Sequence, residues 1–172
     1  MTDTAQLRRQ LADGITGQGL TEPAWRKAIE DVPRDAFLSD AVFRQGQDPQ
    51  GLTVYESLRR YGVSEAEWLA MAYRNETWVT QVGGVDAADA TGPVYGLPTS
   101  SSTLPSLVVR MLEVAGIEDG DRVREIGTGT GYSTAVLCAT GSAMSWSPRS
   151  RSTRPSAPAR EGRCTASATP RP

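Results

Sequence analysis

Histidine is absent from all 172 residues. That removes the usual general base near neutral pH and excludes a Ser-His-Asp triad. Cysteine occurs only at Cys138 and Cys164, a spacing that gives neither a metal-ligand set nor a disulfide framework. Two unpaired thiols in a reducing compartment, and no metal centre, are therefore expected. Long apolar runs are missing too: nowhere do about 18 apolar residues follow one another. The M-T-D-T start has no basic region followed by an apolar run. Neither export nor a membrane span is supported, and a cytoplasmic protein is expected.

Hydrophobic residues make up 38% and charged residues 22% of the chain, and the apolar shortfall has a location. From Gly141 to Pro172 there is no Leu, Ile, Val, Phe or Tyr, but there are six Arg, seven Ser, five Pro and a single Glu. The net charge of −2 divides into −7 for the first 140 residues and +5 for this tail. An asymmetry of that kind can mark a nucleic-acid-binding arm.

Leu7, Leu11 and Ile15 recur at four-residue spacing and predict a first amphipathic helix, ended by Gly17 and Gly19. Thr21 as N-cap and Pro23 in the first turn open a second helix with Trp25, Ala28 and Ile29 inward. Val32-Pro33 stops it, and Phe37 and Leu38 follow as a short apolar anchor. A polar loop is expected over 44–51. Thr53-x-x-Glu56 reads as a capping box opening a helix that buries Val54, Leu58 and Tyr61 and ends at Gly62. Ser64-x-x-Glu67 is a second box, with Trp68, Leu69, Met71 and Ala72 behind it. Residues 76–82 (E-T-W-V-T-Q-V) read as a strand and 83–96 as a small-residue loop. A helix over 104–115 would turn Leu107, Val108, Met111 and Leu112 inward. Asp119-Gly120-Asp121 turns into a buried strand over 122–126, a glycine-rich loop covers 127–131, and a further helix starts at Tyr132. No internal repeat is visible.

Strand, glycines, then helix is the geometry in which main chain can approach a ligand closely. A dinucleotide fingerprint needs glycine at its first, third and sixth places, and Tyr132 occupies the sixth. A P-loop needs Gly-Lys-Ser/Thr, which is absent. The remaining pattern, E-x-G-x-G-x-G, suits a ligand whose adenosine and amino-acid ends pass over the strand tip. On the residues alone, a tight strand-helix turn without a ligand stays equally open.

The stretch D-G-D-R-V-R-E-I-G-T-G-T-G-Y (119–132) resembles motif I of class I S-adenosylmethionine-dependent methyltransferases. It is most similar to the protein-L-isoaspartate O-methyltransferase form, G-D-x-V-L-E-I-G-T-G-[ST]-G-Y. I-E-D-V-P-R-D-A-F-L (29–38) is similar to that family's V-P-R-x-x-F signature. T-S-S-S-T-L-P-S-L-V-V-R-M-L (99–112) resembles its Q-T-I-S-Q-P segment and the helix behind it. The resemblance spans Leu7 to about Cys138, whereas 44–94 does not match the family's short loop. That difference suggests a divergent branch acting on a specific peptide.

The resemblance implies an α/β fold, the N-terminal part of a Rossmann-like class I methyltransferase, helix-rich and with its parallel sheet incomplete. It implies S-adenosylmethionine as cofactor, held by Glu125, Gly127, Thr128, Gly129 and Gly131. The catalytic, substrate-side position falls on Thr103, or on Ser102 if the register slips by one. The expected Gln is replaced by Leu104, and Thr103 can equally serve as the cap of the helix that follows. The partner implied is a protein or peptide bearing an (iso)aspartyl residue, with no nucleic acid and no membrane expected. Such a carboxylate is already ionised at neutral pH. The protein's part is then positioning and exclusion of water, and the missing histidine is no obstacle. Arg124 departs from the family's apolar residue and would be costly on a strand covered on both faces.

Three regions are therefore expected: 1–98, helical and on the substrate side; 99–140, the start of the methyl-donor-binding domain; and 141–172, a basic Ser/Arg/Pro-rich tail. The tail offers no strand and no acid to hold ribose hydroxyls, as a disordered or an out-of-frame segment would. With suitable codons, M-S-W-S-P-R-S-R-S-T-R (144–154) shifts to E-L-V-T-S-V-E-V-D-P, a strand ending in an acid. On that reading the chain is a truncated, inactive form; sequencing the DNA around Cys138 distinguishes the two. Two further readings remain: a non-enzymatic binding module using the arginines of 149–171, and a nicotinamide dehydrogenase, opposed by Tyr132.

Overall fold

The computed structural model describes residues 3–16, 23–117 and 121–140. The expectations placed on Gly17, Gly19, Thr21, Asp119-Gly120 and the tail from Gly141 fall outside these residues. Helix α1 (Thr4–Thr16) and helix α2 (Pro23–Asp31) form where the apolar periodicity places them. Leu11 and Ile15 of α1 and Trp25, Ala28 and Ile29 of α2 are buried. A single 3-10 turn over Arg34–Phe37 follows Pro33.

The next segment corrects the sequence reading twice. Ala41–Gln47 is strand β1 rather than a polar loop from 44, and Thr53–Arg59 is strand β2 rather than a capped helix. The two pair antiparallel from Ala41↔Arg59 to Gln47↔Thr53, so Thr53 faces Gln47 across a hairpin and caps nothing. The reason lies in the turn between them. The Asp48 carboxylate accepts from the N–H groups of Gln50 (3.0 Å) and Leu52 (2.9 Å), and Gly51 takes φ +80°. That is hairpin chemistry, and it overrides the helix-start pattern. Tyr61, expected inside, is 80% exposed.

Helix α3 (Glu65–Ala72) carries the capping box read at Ser64: its hydroxyl accepts from the Glu67 N–H and the Glu67 side chain accepts from the Ser64 N–H. Strand β3 (Trp78–Val82), the short β4 (Val85–Asp86) and β5 (Pro98–Ser102) complete the sheet. Its order is β2-β1-β3-β4, with β5 also paired to β3. Helix α4 (Pro105–Val114) and helix α5 (Tyr132–Ala139) close the described chain.

One core joins the five described α-helices to a face of this sheet: Leu11, Ile29, Trp68, Trp78, Val109 and Val136 lie in the same buried cluster. A smaller cluster around Phe43, Tyr55 and Val82 forms apart from it. On α4, Val108 and Val109 are buried, whereas Leu107 and Met111, expected inside, are 42% and 51% exposed.

Every strand pair among the described residues is antiparallel. The parallel sheet expected from the strand-loop-helix unit is not present among the described residues. Residues 122–126 hold an isolated bridge at Val123 and no strand, and Ile126 is 85% exposed. A parallel strand is stable when neighbours flank it and layers cover both faces, and no described strand runs parallel beside this one. For the same reason Arg124 sits comfortably: it is exposed.

The cysteine expectation is corrected as well. Cys138 is disulfide-bonded, and the argument for a reducing compartment from unpaired thiols falls with it. A disulfide needs Cβ atoms about 4 Å apart, a condition that separation along the chain does not reveal.

Candidate functional site

The glycine loop between the 122–126 segment and α5 takes the backbone conformation that only glycine adopts freely. Gly127, Gly129 and Gly131 have φ of +78°, +57° and +87°. Three alternate left-handed residues curl the main chain back on itself, and Gly131 becomes the N-cap of α5. A Cβ on Gly129 would lie 3.4 Å from the carbonyl oxygen of Ser101, so this glycine lets the loop approach the end of β5.

The loop forms one wall of a cavity of about 300 Å³. Thr128, Thr130, Glu125 and Ser133 line it on the loop side; Ser101, Thr103 and Met111 line it on the β5–α4 side. Thr103 thus lies across the cavity from the glycines. Ser102 does not line it: its side chain is buried, 1% exposed, with an unpartnered hydroxyl. The strand explains the difference, since adjacent residues point to opposite faces. Glu125 receives hydrogen bonds from Ser133 Oγ (2.5 Å) and from Thr134 Oγ1. Its negative charge therefore sits at the positive end of α5.

Thr103 does not cap α4. The N-cap is Leu104, with no hydrogen bond from its own side chain. The orphan N–H groups of this helix end are met from the segment after α3: Leu104 N–H donates to Thr77 Oγ1 (3.1 Å) and Ser106 N–H donates to Asn75 Oδ1 (3.0 Å). Neither residue stood out in the sequence, because a cap supplied by another element leaves no local spacing to find.

Arg34, the arginine of the V-P-R stretch, is fully buried. Its guanidinium donates to the carbonyl oxygens of Ala72 (3.0 Å), Arg74 (2.6 Å) and Glu76 (2.7 Å). It also reaches those of Ser102 and Thr103, both at 3.4 Å. It lies 5.6 Å from the ring centre of Tyr132, the first residue of α5. Burial pushes the Arg34 pKa down to about 10, so the group stays charged at neutral pH. Burial also raises the Tyr132 hydroxyl above its usual range, keeping it neutral. The ring of Phe37, read as an anchor, meets that of Tyr132 edge-on at 5.9 Å.

The fold as a whole is shared with a solved structure described as a protein-L-isoaspartate O-methyltransferase. The TM-score is 0.51 at 24% identity, over 84% of this chain and 34% of that one. That likeness shows the fold class, α/β. A model of the protein-L-isoaspartate(D-aspartate) O-methyltransferase family matches residues 56–143, half of the chain. The chain belongs to that family.

Among curated relatives, the protein-L-isoaspartate O-methyltransferase of Flavobacterium psychrophilum is 48% identical over 147 residues, 84% of this chain and 49% of that protein. Protein-L-isoaspartate O-methyltransferase 2 of Pelobacter propionicus is 28% identical over 134 residues, 77% of this chain and 41% of that protein. The chain spans less than half the length of these relatives. No described helix is long and apolar enough to cross a membrane.

Proposed function

We propose that this chain forms the methyl-donor and acceptor-facing part of a protein-L-isoaspartate O-methyltransferase, esterifying an (iso)aspartyl carboxylate of a protein or peptide. The observation that carries the reading is the cavity between the left-handed glycines Gly127 and Gly129 and the Thr103 side, in a chain of this family. Its volume of about 300 Å³ falls at the lower end of the range for small-molecule sites. On this proposal the 99–140 region belongs to a Rossmann-like methyltransferase domain and 1–98 supplies the substrate side.

S-adenosylmethionine fits the loop, because Gly127 and Gly129 present bare main chain to the cavity, while Gly131 packs toward Phe37 and starts α5. When bound, it supplies an electrophilic methyl group. Glu125, Gly127, Thr128, Gly129 and Gly131 would hold it. The Glu125 carboxylate keeps acceptor capacity beyond the two hydroxyls it already receives. Thr103 offers a hydroxyl to the acceptor side of the cavity, with Ser102 behind it. The acceptor carboxylate is ionised at neutral pH, so the chain need only orient it and keep water out.

Calorimetric titration with S-adenosylhomocysteine tests the cofactor half of the reading, and transfer of labelled methyl to a synthetic isoaspartyl peptide tests the whole. Micromolar binding and a base-labile methyl ester are expected. No binding by the folded chain would refute the assignment.

A further inference from the structure

The segment that follows α3 touches the site without lining its cavity. Its carbonyl groups at residues 74 and 76, with that of Ala72 at the end of α3, converge on the buried guanidinium of Arg34, and the same guanidinium reaches the carbonyl oxygens of Ser102 and Thr103. Its side chains act in the other direction: Thr77 accepts from the N–H of Leu104, and Asn75 exchanges two hydrogen bonds with Ser106. Thr103 is therefore held from both sides. The peptide that joins it to Leu104 has its carbonyl toward Arg34 and its N–H tied to Thr77. A pairing supplied in trans is unusual for a helix start, where the cap side chain normally belongs to the helix's own N-cap residue.

We infer that Asn75 and Thr77, working with Arg34, are positioning residues that set where Thr103 stands over the cavity, and so set the acceptor side of the reaction. The inference rests on the proposed methyltransferase reading and deepens it. The glycine loop is held separately: Gly131 N–H donates to the Thr128 carbonyl (2.9 Å), and neither Asn75 nor Thr77 bonds to it. Loosening Thr103 should then disturb the peptide acceptor and leave the methyl-donor side intact.

Thr77 is exposed and Asn75 only part-buried, so substitutions here leave the core untouched. Thr77→Val removes the acceptor at nearly constant shape, Thr77→Ser keeps it, and Asn75→Ala removes the second tie independently. Affinity for S-adenosylhomocysteine is measured first. Affinity for a short synthetic isoaspartyl peptide is then measured on the protein saturated with S-adenosylhomocysteine, together with the melting temperature.

Thr77→Val and Asn75→Ala are expected to weaken peptide binding by about tenfold, the scale on which small misplacements act. S-adenosylhomocysteine affinity should stay within about twofold of wild type, with Thr77→Ser restoring the peptide. Unchanged peptide affinity in both variants overturns the inference, as does a parallel loss of both ligands. Wild-type protein that binds S-adenosylhomocysteine but no peptide overturns it as well. Wild-type protein that binds neither removes the methyltransferase reading, and this inference with it.

Discussion

Gly129 illustrates how single residues govern the site. At φ +57° a side chain is strained by about 1–2 kcal/mol, and a Cβ there would also meet the Ser101 carbonyl. Gly129→Ala is expected to weaken S-adenosylhomocysteine binding by roughly tenfold, the equivalent of about 1.4 kcal/mol, in calorimetric titration. Unchanged affinity would show that the loop conformation is not needed for the ligand. Arg34 acts through the main chain of two segments, 72–76 and 102–103. Arg34→Leu leaves several carbonyl groups without their charged donor and is expected to destabilise the fold by about 3 kcal/mol or more, read from urea unfolding. The pattern V-P-R was visible beforehand, but its role was not: five acceptors from distant stretches meet only in three dimensions.

At the scale of elements, α3 and the β1–β2 hairpin make a useful contrast. Both carry a Ser/Thr-x-x-Glu pattern, and only Ser64 makes the box. Ser64→Ala is expected to cost about 1 kcal/mol in thermal or denaturant unfolding. Its pH dependence has a definite sign. The Ser64 hydroxyl and N–H hold the Glu67 carboxyl below its usual value. The contribution is complete above the ordinary carboxylate pKa and fades as pH falls through the lower folded value. The gap between wild type and Ser64→Ala should therefore narrow in acid, leaving the part due to the Glu67 N–H bond; a gap that widens there would contradict the cap. The hairpin was missed because an Asp48 turn with Gly51 at positive φ decides the geometry, and four-residue spacing cannot outvote it.

Across the whole molecule, a single core ties the helices to the sheet, and Trp68 is fully buried within it. Trp68→Ala is expected to cost about 3–5 kcal/mol and to lower the melting of helices and sheet together in one transition. Separate transitions would show that the layers fold independently. Leu107 and Val114 of α4 are exposed, and so are Met111 and Ile126 at the edge of the cavity. Apolar surface left open in this way promotes self-association. Leu107→Glu with Val114→Glu is expected to reduce concentration-dependent light scattering without lowering the melting temperature.

The sequence by itself determined what depends on near neighbours. It set the apolar stripes of α1 and α2, the Ser64 box, the β-branched run that becomes β3, and the glycine spacing that forces a left-handed loop. Those outcomes follow from backbone preference and side-chain period, which act within a few residues. Only the tertiary structure decided that the described sheet is antiparallel, that Thr103 faces the cavity while Ser102 turns into the core, and that α4 is capped by Asn75 and Thr77. Each of these depends on groups far apart in the chain meeting in space, and no local pattern records which distant donor will find which acceptor.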